Sequence, residues 1–177
     1  MEPKTPVRLR RAVVADAEML DAWHGPEFNG EFNAFGVAYG PMRPAIEKSG
    51  LIGERAGTMI VETTAGDPVG TVSWHAVIYG PNTESTAYNI GINLIPGARF
   101  KGYGAVAQRL LADQLLAATP VNRIEAMTDV ENTAEQRALE KAGFRREGVL
   151  YGAQFRAGRW HDLVVYSFVR EPGAGAP

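Results

Sequence analysis

Arg99-Phe100-Lys101-Gly102-Tyr103-Gly104-Ala105 stands where a strand-like pattern gives way to a helix-like one. Glycines at such a junction let backbone N–H groups approach an anion, and the positive end of the new helix points the same way. Arg99 and Lys101 add charge. The chemistry this favours is the holding of a pyrophosphate. From the glycines alone, a left-handed turn that simply closes a loop is the stronger reading.

Two nucleotide templates compete for the segment. A phosphate loop of the Gly-Lys-Ser/Thr kind needs lysine after glycine and a hydroxyl for magnesium. Here Lys101 precedes Gly102, and no such hydroxyl follows. Gly102-x-Gly104-x-x-Ala107 satisfies the loose dinucleotide fingerprint, but that fingerprint needs the strand to run straight into its first glycine. The apolar strand ends near Ile95, seven residues earlier, and too little chain follows for a doubly wound sheet. A nicotinamide cofactor is not expected.

Proton-handling groups come next. An amine must lose a proton before it attacks an acyl carbon, and a base titrating near neutrality serves best. His75, Glu84, Tyr88 and Glu135 are candidates. Each has an ordinary structural reading beside the chemical one. His75 suits a half-buried strand histidine, Tyr88 a packing residue with a pKa of about 10, and Glu135 a helix-capping residue. The chain has no cysteine, which removes disulfides, thiolate zinc sites, iron–sulfur clusters and cysteine nucleophiles. His24 and His161 lack partners at ligand spacing, so no metal is expected. No Gly-x-Ser-x-Gly elbow occurs, which disfavours a serine hydrolase.

The elements that must position these groups follow from periodicity. Residues 7–13 alternate as a strand and 16–23 read as a short helix. Residues 24–44 form a long segment in which Phe28, Phe32, Phe35 and Tyr39 lie among glycines; a loop of this length carries a function or hides a helix. Residues 58–62 and 69–78 bracket Ala65-Gly66-Asp67-Pro68 as a hairpin. A strand over 88–95 leads through the glycine segment into a helix with Tyr103, Val106, Ala107, Leu110 and Leu111 on one face. After a strand over 122–128, residues 132–142 have a signed helix. Asn132 caps it, Glu135 completes a capping box and Gly143 stops it. Strands over 144–155 and 160–169 close the chain. This order predicts a mixed α/β sheet with helices on its faces.

At 177 residues and a formal net charge of −2, the chain suits one domain. No run of like charge suggests a nucleic-acid surface or a polybasic membrane patch. No stretch is long and apolar enough to cross a bilayer, and residues 1–5 lead into no signal-type apolar segment. The expectation is a cytoplasmic protein with a domain over 1–170 and a flexible Pro/Gly/Ala-rich tail over 171–177.

Taken together and in order, these segments resemble the GNAT superfamily of acyl-CoA-dependent N-acetyltransferases. Arg99-x-x-Gly102-x-Gly104 is similar to its Q/R-x-x-G-x-G/A pyrophosphate loop. Asn132 through Phe144, with Leu139-Glu140-Lys141-Ala142-Gly143-Phe144, resembles the later helix of the branch that acetylates ribosomal-protein N-termini. Glu147-Gly148-Val149-Leu150 and Gly158-x-Trp160-x-Asp162 also resemble that branch. The likeness covers about residues 88–169, and 7–23 fit more loosely.

The resemblance implies a central twisted, mostly antiparallel sheet, splayed in the middle, with helices on both faces. It implies acetyl-CoA as cosubstrate: Ile92, Asn93 and Leu94 facing pantetheine, Arg99, Phe100, Lys101, Gly102, Tyr103, Gly104 and Ala105 around the pyrophosphate, and Asn132 on the pantetheine arm. The expected activity is acetyl transfer to a primary amine by direct attack. The acceptor is a small molecule or a peptide, and a homodimer is left open. Trp23, Phe28, Phe32, Phe35 and Trp74 are expected to line the acceptor pocket; the alternative is that the loop aromatics form a satellite core over the sheet. Phe100 replaces a frequent loop glycine, Leu139 stands where many members have a proton-donating tyrosine, and Tyr88 stands where some have a basic glutamate. His75, Tyr88 and Glu135 are therefore the catalytic candidates. The alternative is a CoA-binding or sensing module of the same fold without catalysis.

Overall fold

The computed structural model describes residues 6–25 and 27–171. Strands β1 (Val7–Arg10), β2 (Ala56–Thr63), β3 (Pro68–Ile78), β4 (Thr86–Leu94), β5 (Arg123–Asp129), β6 (Arg145–Arg156) and β7 (Arg159–Val169) build one open sheet. Their spatial order is β1-β2-β3-β4-β5-β7-β6. All neighbours are antiparallel except β4 and β5. That pair needs a crossover, because a parallel join cannot be made by a tight turn.

The crossover is α3 (Tyr103–Ala118). Together with α4 (Thr133–Lys141) it covers one face of the sheet, while α1 (Ala17–Ala22) and α2 (Arg43–Ser49) lie on the other. Ala107, Leu111, Ala112 and Leu115 of α3 are buried against Val72, Ile90, Ile124 and Tyr166. Burying one such leucine is worth about 1.5–3 kcal/mol. Val7 and Val61 belong to this core, whereas Ile60 packs with Ala17, Leu20 and Ile46 in the smaller one. Adjacent strand residues thus serve opposite faces.

Among its described residues, the aromatic segment after α1 contains turns at Gly25–Asn29 and a 3-10 turn over Glu31–Asn33, and it runs into α2. That helix was not anticipated. Its signals are proline in the first turn and Gly50 in the left-handed region, φ +59°, at its end, an ordinary start and stop. Asp16, held by Arg10 at 2.8 Å, accepts from Val13 N–H and fixes the approach to α1. Among the described residues no helix is long and apolar enough to cross a membrane. The expected tail falls mostly outside the described residues.

Candidate active site

The parallel pairing of β4 and β5 lasts only three residues: Tyr88 with Ile124, Asn89 with Glu125 and Ile90 with Ala126. Beyond these, Gly91–Leu94 of β4 pairs only with β3, and Met127–Asp129 of β5 only with β7. The two strands part. Each leaves an edge with no strand partner along the gap, and such an edge is a template for an extended amide-bearing chain. Ile92 and Leu94 turn toward α3, while Asn93 turns to the α1 face.

Above the gap stands the start of α3. Gly102 precedes the helix at φ +82°, and no side chain caps this end. The first helical bond runs from Val106 N–H to the Gly102 carbonyl at 3.4 Å, so the N–H groups of Tyr103, Gly104 and Ala105 precede the ladder and are free for an anion. Phe100 also lies in the left-handed region, φ +62°, and its ring is 92% exposed. A bulky residue there is strained, and glycine would fit without cost. Lys101 is exposed beside it.

Arg99 departs from the expected role. Its Nε donates to the Leu94 carbonyl at 3.0 Å and its guanidinium donates to the Phe28 carbonyl at 2.6 Å. The side chain thus ties the end of β4 to the aromatic loop instead of facing outward. What it offers an anion is backbone.

Across the gap, Asn132 caps α4 by accepting the Glu135 N–H at 3.2 Å. Only this half of the expected capping box forms, because Asn132 N–H donates to Asp129 instead. The Glu135 carboxyl turns inward toward Gln108 of α3, and burial pushes its pKa up to about 8. Gln108 is fully buried, and its Oε1 has no partner among the described residues. The Gln108 side chain offsets part of the Glu135 rise by favouring the charged form. The folded pKa of Glu135 lies above the unfolded one, so Glu135 costs no stability below the ordinary carboxylate range and progressively more as pH rises toward 8. Glu135→Gln is therefore expected to raise Tm at pH 8 and to leave it unchanged at pH 4, as thermal denaturation by circular dichroism would show.

Three sequence candidates lie elsewhere. Tyr88 is buried on the α3 face and donates to the Glu54 carbonyl at 3.2 Å. His75 pairs with Asn89, where β4 and β5 are still joined, and is exposed. Trp74 belongs to the main core, pressed so closely on Gly57 that a Cβ there would lie 2.3 Å from its ring. It lies on the far face of β3 from the aromatic loop, because alternate strand residues face opposite ways.

The aromatic loop residues fall into three different settings. Trp23 and Phe28 line a cavity of about 40 Å³ with Leu20, His24, Thr71 and Asn93. Asn93 also donates to Asn29 at 3.1 Å. Phe32 lies under the Arg156 guanidinium, 5.4 Å from its ring centroid, and Arg156 donates to the Phe32 carbonyl at 3.3 Å. Phe35 is 42% exposed and lines no described cavity. Residues 28–32 therefore strap the open end of the gap, tied to the β4 arm by Arg99 and to the β5 side by Arg156.

Arg156 is itself buried and paired with Asp129. His161 Nδ1 lies 2.8 Å from the same carboxylate and Nε2 lies 3.2 Å from the Arg156 carbonyl. Asp129, Glu131 and His161 together resemble a metal-ligand set, but the cation among them is the guanidinium. A wider groove of about 500 Å³ on the same sheet face is lined by Tyr79, Arg123, Met127, Glu147 and Leu150. Its charges are internally paired, with Arg123 between Glu125 and Glu147. Sequence reasoning missed Arg156, Asp129, Gln108 and His24 as site residues. Their spacing carries no motif.

A sheet parted beside an uncapped, glycine-led helix defines a class, and comparison agrees. Residues 7–145 match the family described as "Acetyltransferase (GNAT) domain", and the chain belongs to that family. It is 26% identical over 172 residues, 94% of each chain, to "Uncharacterized N-acetyltransferase p20" of Bacillus licheniformis. In fold it is similar to spermidine N-acetyltransferase from Vibrio cholerae, solved with CoA and spermine: TM-score 0.77, 18% identity, 94% of this chain and 96% of that one. It is likewise similar to the Salmonella typhimurium acetyltransferase that modifies the N-terminal serine of ribosomal protein L7/L12: TM-score 0.75, 17% identity, 95% and 97%.

Proposed function

We propose that this chain transfers acetyl from acetyl-CoA to a primary amine by direct attack, with no acyl-enzyme intermediate. The observation that carries the reading is the β4 edge over Gly91–Leu94, which has no strand partner on the β5 side, beneath the uncapped start of α3. The N–H groups from Gly102 to Ala105, with Lys101, would hold the pyrophosphate. The edge of Ile92, Asn93 and Leu94 would pair with pantetheine amides, and Asn132 would bond the arm from the other side.

The reaction makes one carbon–nitrogen bond and breaks one carbon–sulfur bond. Backbone N–H groups fixed on β4 suit the charge that develops on the carbonyl oxygen, and holding amine and thioester together supplies much of the rate. Sulfur must gain a proton as it leaves. Leu139 cannot give one and is fully buried. Glu135 lies one helical turn earlier on the same face of α4, and its raised pKa keeps it protonated near neutrality. In this reading it is the donor. The strap of Phe28 and Phe32 would meet the apolar body of the acceptor.

Calorimetric titration with acetyl-CoA tests the reading. Saturable binding of one molecule per chain in the micromolar range is expected. No binding at millimolar concentration would sink the proposal.

A further inference from the structure

We propose that His24 is the base that takes the proton from the acceptor amine, an assignment that rests on the acetyl transfer proposed above. His24 follows the last turn of α1, its N–H held by the Asp21 carbonyl at 3.2 Å. Its ring stacks on Tyr39, centroids 4.2 Å apart and planes within 16°. The stack fixes the ring plane. No hydrogen bond reaches either ring nitrogen from the described residues.

His24 lines the 40 Å³ cavity together with Thr71 and Asn93, between the apolar walls of Trp23 and Phe28. A water molecule takes about 30 Å³, so the cavity admits an amino group rather than a whole acceptor. Asn93 lies on the arm of β4 that has parted from β5, where the acyl carbon is expected. The cavity therefore joins the His24 imidazole to β4.

Several other titratable groups near the gap are already engaged. Tyr88 is bonded to Glu54, Glu125 to Tyr79 and Arg123, and Asp129 to Arg156 and His161. His75 faces solvent beside strands that are still paired. The His24 ring lies against Tyr39, Asp21 and Glu27 flank it in the chain, and Arg99 holds the loop at Phe28. The Asp21 carboxylate accepts from Met42 N–H and the Arg99 guanidinium is held by two carbonyls, while Glu27 is exposed.

The proton balance is simple. The acceptor's ammonium gives one proton to His24, which passes it to solvent. As nitrogen bonds to the acyl carbon and sulfur leaves, the nitrogen's second proton ends on the thiol sulfur, through Glu135. A neutral imidazole presents one ring-nitrogen lone pair, which can take the ammonium proton.

The test compares wild type and His24→Gln with acetyl-CoA and 2-phenylethylamine across pH 6 to 10. At pH 7 the variant's kcat/KM is expected to fall by about 10²–10⁴-fold, with the acetyl-CoA Kd unchanged. The deficit narrows as pH approaches the amine's own pKa, because free amine then needs no base. Wild-type rates and profile in the variant would overturn the assignment while leaving acetyl transfer intact. Wild type that binds acetyl-CoA but turns over no amine overturns both. Should His24→Gln fold poorly, imidazole ¹⁵N shifts of the wild type decide: the His24 signal moves when the amine joins the CoA-bound protein, and a static signal rejects the proposal.

Discussion

Gly104→Val raises the Kd for acetyl-CoA at least tenfold, about 1.4 kcal/mol, in a protein that still folds. A Cβ at Gly104 would meet Ile92 Cδ1 and Leu94 Cδ1 at 3.8 Å and Ala138 Cβ at 3.9 Å. These are ordinary contacts, so alanine fits. The added methyl groups of valine have nowhere to go but the space between β4 and α4, along which the cofactor arm must pass. They also stand over the first-turn N–H groups. Gly104→Ala should therefore bind within a few-fold of wild type, and alanine is favoured over glycine in a helix by about 1 kcal/mol. Calorimetry on both variants, with circular dichroism to confirm folding, reads the contrast. Near-wild-type binding by folded Gly104→Val would refute the placement.

Arg156→Met is expected to cost about 3–5 kcal/mol, the usual loss when one partner of a buried ion pair is removed. For a chain of this size that lowers Tm by roughly 6–20 °C. The loss has three parts: Asp129 is left as a buried carboxylate, the Phe32 carbonyl loses a donor, and the Phe32 ring loses the cation above it. Burial alone would raise the Asp129 pKa, but the Glu131 N–H, Arg156 and His161 outweigh it and hold the group below the usual carboxylate range. Stability from a depressed carboxylate is present above its unfolded pKa and is lost as pH falls through the folded one. Without Arg156, that acid-side margin shrinks. Denaturation scans at pH 7 and pH 4 would show a wild-type advantage that is larger at pH 7. Equal Tm values for the two proteins at pH 7 would mean that the strap is not anchored here.

Much of this was legible in the sequence because it is periodic or local. The alternation through Tyr88, Ile90, Ile92 and Leu94 places β4, and Asn132 with Gly143 bounds α4 to within a residue. The Arg99-to-Gly104 pattern marks the turn into α3, including the left-handed Gly102. Local signals fail where a side chain chooses between distant partners. Nothing near Arg99 says that its guanidinium reaches Phe28, 71 residues earlier. Arg156 finds Asp129 27 residues back and Phe32 124 residues back. Trp74 is expected beside the aromatic loop, but along β3 it faces the opposite way from Thr71, which lines the cavity there. Glu135 has a capping-box spacing, and its carboxyl leaves the box for Gln108, a contact only helix packing creates.

The most direct test of the account is transfer itself. Wild-type protein would be incubated with acetyl-CoA and each of 2-phenylethylamine, spermidine and a serine-initiated peptide, and the products followed by mass spectrometry while free thiol is measured. The account predicts an N-acetylated product from at least one amine, with thiol released in equal amount and no acetyl left on the protein. Saturable acetyl-CoA binding with no acetylated amine and no thiol above the uncatalysed rate would contradict it, leaving a chain that binds the cosubstrate without using it.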